Sequence, residues 1–120
     1  MKPEKPFQER RQYLRLQATV EVKYTVIGKP GEYKVASKNF SAGGLCIITN
    51  EQLAADTPLQ LEIKIPDLKD NIRALARVVW QQKFSHQETY YNTGVEFTGI
   101  SDFDRFNINR YVMEHVEPET

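Results

Sequence analysis

Apolar and polar residues alternate from Leu16 onward. Leu16, Ala18, Val20, Val22 and Tyr24 fall on one side of an extended chain, and Gln17, Thr19, Glu21 and Lys23 on the other. That period of two predicts a half-buried strand. Gly28-Lys29-Pro30-Gly31 is a turn, after which Tyr33 to Lys38 and Leu45 to Thr49 read as the next two strands. Alternation resumes at Leu59, Leu61, Ile63 and Ile65 and stops at Pro66-Asp67. Ile72 to Gln81 follows, with Ala74, Ala76, Val78 and Trp80 on one face and Arg73, Leu75, Arg77 and Val79 on the other. A polar loop, Ser85-His86-Gln87-Glu88, leads to a last strand lined by Tyr91, Thr93, Val95 and Phe97. About six short, evenly spaced strands predict a closed or nearly closed antiparallel barrel.

The period then changes. Ser101 suits a helix N-cap, and Asp102 and Asp104 suit its first turn. Phe103, Phe106, Val112, Met113 and Val116 form an apolar arc expected to pack on the barrel, which leaves Ile108 and Tyr111 exposed. The expected class is therefore mainly β: a six-stranded barrel with a C-terminal helix.

The 120 residues suffice for one domain with one core. Sixteen basic residues balance sixteen acidic ones. A neutral chain lacks the field by which a whole-surface nucleic-acid binder collects phosphates, though it permits a local basic site. Lys2, Lys5, Arg10, Arg11 and Arg15 against Glu4 and Glu9 give the N-terminal stretch a charge of +3, while Glu114, Glu117 and Glu119 make the other end negative. Residues 1–10, with Pro3 and Pro6 and little to bury, read as a flexible tail. Cys46 is the only cysteine, in an apolar run, and reads as a buried small hydrophobe. It fits a reducing compartment. No apolar leader or bilayer-length run occurs, so the expectation is a cytoplasmic protein without membrane insertion.

Familiar catalytic patterns are missing. His86 and His115 lack zinc-site spacing, there is no phosphate-cradling glycine loop, and Phe40-Ser41-Ala42-Gly43 lacks the first glycine of a nucleophile elbow. No catalytic residue, metal site or cofactor is assigned, and the chain reads as a non-enzyme. Two other segments carry chemistry. Arg11 and Arg15, on one side of an extended chain about 13 Å apart, are either a solvated basic tail or a pair of guanidinium forks. Such forks grip phosphate, hold the O6/N7 edge of guanine, or stack on a purine. Asn39, Ser41, Gly43 and Gly44 are either a plain hairpin turn or a bend that offers side-chain and backbone hydrogen bonds to a ligand.

Taken together, Arg11-Gln12-Tyr13-Leu14-Arg15 and Asn39-Phe40-Ser41-Ala42-Gly43-Gly44 resemble the PilZ domain family, bacterial receptors for cyclic di-GMP. The family pattern is Arg-x-x-x-Arg followed, after a strand hairpin, by Asp/Asn-x-Ser-x-x-Gly. Ala76-Arg77-Val78-Val79-Trp80, Gly94-Val95-Glu96-Phe97 and the terminal helix extend the likeness over about residues 9–115. The resemblance implies a PilZ domain over residues 11–117 behind the tail at 1–10. It implies that Arg11 and Arg15 hold phosphates and guanine edges, that Asn39 and Ser41 bond a guanine, and that Gly43 and Gly44 shape the loop. Arg10, just before the motif, implies a stacked, intercalated pair of ligands. Trp80 is either a stacking face for a base or a barrel-end aromatic.

The expected mechanism is a switch: ligand charge draws the arginine-bearing segment over the barrel, and an effector protein reads the altered surface. A monomer or weak homodimer is expected, with no DNA or RNA partner. The alternatives are a PilZ-like interaction module without a nucleotide, and a small barrel that binds single-stranded nucleic acid by stacking.

Overall fold

The computed structural model describes residues 20–66, 68–83 and 89–115. Six strands form in chain order: β1 (Glu21–Val26), β2 (Tyr33–Lys38), β3 (Gly44–Thr49), β4 (Pro58–Lys64), β5 (Ile72–Lys83) and β6 (Tyr91–Gly99). The helix α1 (Asp102–His115) follows. The strands close into an antiparallel barrel in the order β1-β2-β3-β6-β5-β4, with β4 returning to β1. Closure leaves no long free edge and gives each strand a buried and a solvated face.

Period two is realised as expected in most strands. Val22, Tyr24 and Val26 of β1, Leu59, Leu61 and Ile63 of β4, and Ile72, Ala74, Ala76 and Val78 of β5 all point into the core. Leu45 and Ile47 of β3 and Val95 and Phe97 of β6 meet them there. One end of the interior is polar. Thr49 and Thr93, both fully buried, hydrogen-bond each other at 3.0 Å. The Gln81 amide donates to both hydroxyls and to the Glu51 carbonyl, and accepts from Leu53 N–H. These bonds satisfy buried groups that would otherwise be costly.

Two expectations are corrected. Trp80 does not share the inward face of Ala74, Ala76 and Val78. The β5–β6 register shifts between Val78 and Trp80: Val78 pairs with Val95 and Trp80 with Gly94, which leaves Val79 unpaired. This bulge inserts a residue and inverts the alternation. Val79 and Trp80 are therefore both exposed, at 42% and 47%. The helix is also rotated relative to expectation. Val112 of the expected arc is fully buried, but so is Ile108, and Tyr111 packs partly against the core, whereas Phe103, Phe106 and Met113 are the exposed side. Counting apolar residues favoured the wrong face, because the seated face is fixed partly by a polar anchor: Arg105 donates to the Ala42 carbonyl at 2.8 Å. The cap itself is as read, with Ser101 Oγ accepting from Asp104 N–H at 3.0 Å.

The tail at 1–10, the start of the first strand at 16–19, the loop at 85–88 and Val116 lie outside the described residues.

Candidate functional site at the bend before β3

The bend at 39–44 is built by alternation. Phe40 and Ala42 are fully buried, while Asn39, Ser41, Gly43 and Gly44 are partly exposed. Two apolar anchors thus pin a polar edge to the outside of the barrel. Asn39 takes a left-handed backbone, φ 54°, a conformation that asparagine tolerates better than most residues. Neither Gly43 nor Gly44 of the bend takes a positive φ. Positive φ among the described glycines falls instead at Gly28 and Gly31, in the β1–β2 turn. Gly44 is needed for close approach: a Cβ there would sit 2.3 Å from the Val95 carbonyl oxygen.

Ser41 is largely spent on the turn. Its Oγ accepts from Gly43 N–H and donates to the Gly44 carbonyl, both at 3.2 Å. The Ser41 N–H donates to the same carbonyl at 3.0 Å. One lone pair of the hydroxyl remains. The bend is tied to β6 by Phe97 N–H donating to the Gly43 carbonyl, and to α1 by Arg105. Sequence reasoning missed the Arg105 tie, because residues 42 and 105 meet only through the fold.

From the bend, the outer wall runs across three strands. Gly44 pairs with Glu96, and Glu96 with Arg77; Cys46 pairs with Gly94, and Gly94 with Trp80. Directly paired residues share a face, so Gly44, Glu96, Arg77, Cys46, Gly94 and Trp80 form one outward surface. The indole of Trp80 lies against Gly94: a Cβ there would fall 2.3 Å from Trp80 Cε2 and Nε1. The result is an aromatic plate, about half exposed, on the same wall as the bend. Trp80 thus faces outward and is not part of the core.

Lys38, next to Asn39, adds a cation to this wall and donates to the Asn92 amide oxygen at 3.5 Å. Cys46 is buried under these neighbours, and that burial raises its thiol pKa despite Lys38. Arg77 bridges Asp56, with a hydrogen bond, and Glu96 at 2.7 Å. The Asp56 hydrogen bond first, then Glu96, holds its guanidinium pKa above the ordinary arginine value.

Arg10, Arg11 and Arg15 lie outside the described residues. Val20 N–H donates to Ser37 Oγ at 3.1 Å, and Ser37 N–H to the Val20 carbonyl at 2.9 Å. Val20, the first described residue, therefore lies beside β2, the strand that leads into the bend. Among the described residues no group of three or more His, Cys, Asp or Glu could hold a metal ion, and no helix is long and apolar enough to cross a membrane.

Residues 9–114 match the sequence model of the PilZ domain. No curated protein matches the chain. Among solved structures, the inhibitor of motility MotI/DgrA of Bacillus subtilis superposes with a TM-score of 0.75 at 24% identity, covering 88% of this chain and 50% of that one. This chain thus spans half the length of MotI. The PilZ domain of YcgR from Escherichia coli, solved with c-di-GMP, superposes with a TM-score of 0.67 at 14% identity, covering 88% of this chain and 91% of that one. At these identities the likeness speaks for the fold.

Proposed function

This chain belongs to the PilZ domain family, and on that premise we propose that it is a cytoplasmic cyclic di-GMP receptor, not an enzyme, whose output passes to another protein. The observation that carries the reading is the outer wall itself. An anchored polar bend with Asn39 at its edge stands beside an open indole on a glycine floor. The wall offers a base both hydrogen bonds and a stacking face. The ligand class is supported by the YcgR domain solved with c-di-GMP.

In this reading Arg11 and Arg15 grip phosphates and guanine edges, because guanidinium binds both in a fork. Arg10 recruits a second, intercalated ligand. Asn39 bonds a guanine, while Ser41, Gly43 and Gly44 keep the bend in shape and its surface low. Stacking on Trp80 contributes about 1–3 kcal/mol per base. Binding draws the arginine-bearing segment onto the wall and changes the surface that a partner meets.

Isothermal titration with cyclic di-GMP tests the proposal directly. Binding at two ligands per chain is expected. Arg11→Ala and Arg15→Ala should each cost about 1.5–3 kcal/mol, and Arg10→Leu should move the ratio towards one. Absence of binding by the intact chain refutes the receptor reading. Identical backbone relaxation of residues 2–15 with and without ligand refutes the switch alone.

A further inference from the structure

We infer that Glu96 is a guanine-reading residue of this wall, a role that rests on the receptor reading and sharpens it. Its place follows from the register. Glu96 stands directly between Gly44 of the bend and Arg77 of β5, and two residues along β6 from Gly94, the floor of the Trp80 indole. Two residues along a strand span about 6.8 Å. That matches the reach of a purine whose six-membered ring lies over the indole and whose Watson–Crick edge points along the strand. Glu96 is half exposed, so its carboxylate is accessible.

The chemistry selects guanine. Its Watson–Crick edge presents N1–H and the N2 amino group, both donors, and a carboxylate is an acceptor-only group with two oxygens. Adenine presents an acceptor at N1 and cannot pair with it in this way. A carboxylate beside a doubly charged anion would repel it unless its own charge were compensated. Arg77, whose one positive charge is shared between Glu96 and Asp56, supplies part of that compensation, and Lys38 adds a second cation to the wall. Arg77 bonds Glu96 Oε1 at 2.7 Å, which also fixes the side chain, and leaves Oε2 for the base. Arg77 is thus a positioning residue, held in turn by Asp56.

The test compares cyclic di-GMP with its inosine analogue, which lacks only the N2 amino groups, on the intact chain and on Glu96→Gln. The intact chain should bind cyclic di-GMP about tenfold or more tightly than the analogue, since each lost charge-assisted hydrogen bond is worth about that factor. Glu96→Gln should weaken cyclic di-GMP about tenfold, leave the analogue less affected, and so narrow the ratio. Its melting temperature should stay within a few degrees, because the side chain is at the surface. An unchanged ratio in Glu96→Gln, or equal affinity of the intact chain for both ligands, overturns the assignment while leaving the receptor reading intact. Failure of the intact chain to bind either ligand ends both.

Discussion

Gly94 shows how much a single missing side chain decides on this wall. The Trp80 indole lies where a Cβ at position 94 would stand. Gly94→Ala should therefore swing the ring off the barrel at a stability cost of about 1–3 kcal/mol, nearer the lower end because the ring can move. Trp80 is the only tryptophan, so its fluorescence reports the change without ambiguity. A shift of emission to longer wavelength is expected, with weaker cyclic di-GMP binding. An unaltered spectrum would mean that the ring does not rest on this glycine. Gly44 differs in kind. The group it spares is a backbone carbonyl, which cannot step aside, so alanine there strains the bend itself.

The helix makes a comparable point at the level of an element. Its fully buried pair, Ile108 and Val112, is spaced by four residues, and Arg105 reaches from the same region to the bend. The element that seats the barrel end is thus also hydrogen-bonded to the candidate site. Ile108→Ala should cost about 2–5 kcal/mol in urea unfolding, through lost burial and the cavity it leaves. Phe103→Ala, on a side chain 73% exposed, should change stability by no more than about 0.5 kcal/mol. The reverse ranking would put the Phe103 side of the helix against the core. The bulge in β5 acts on the same scale: one unpaired residue, Val79, brings Trp80 to the outside and Gln81 to the inside.

Across the whole molecule, the polar end of the barrel gives stability a defined pH dependence. Tyr24 is fully buried and donates to Glu51 Oε1 at 2.5 Å. Burial first, and then Glu51, pushes its phenol pKa well above the ordinary tyrosine value. The folded state keeps this proton where the unfolded chain loses it. The contribution is therefore complete below about pH 10, the unfolded value, and is lost progressively as pH rises beyond it. Tyr24→Phe should cost about 1–2 kcal/mol at pH 7, and the gap to the natural chain should narrow at pH 10.5. Parallel urea curves at the two pH values provide the check; a gap that widens with pH would contradict the assignment.

Period two needs only local information, and it survived folding: the faces that alternation marks in β1, in β4, in β5 as far as Val78, and at Thr93, Val95 and Phe97 of β6 are the buried ones. Closure follows from six strands sharing one core. The bend was also legible locally, because Asn39 to Gly44 is contiguous and Phe40 and Ala42 alternate with partly exposed neighbours, whereas Arg11 and Arg15 lie outside the described residues. What alternation could not reveal was a break in its own rhythm, since a bulge exists only relative to the partner strand. The helix face was hidden for a related reason: its seat depends on a carbonyl contributed 63 residues earlier. Tertiary structure alone placed Glu96 between the bend and Arg77, because pairing across strands, and not order along the chain, sets which side chains share a wall.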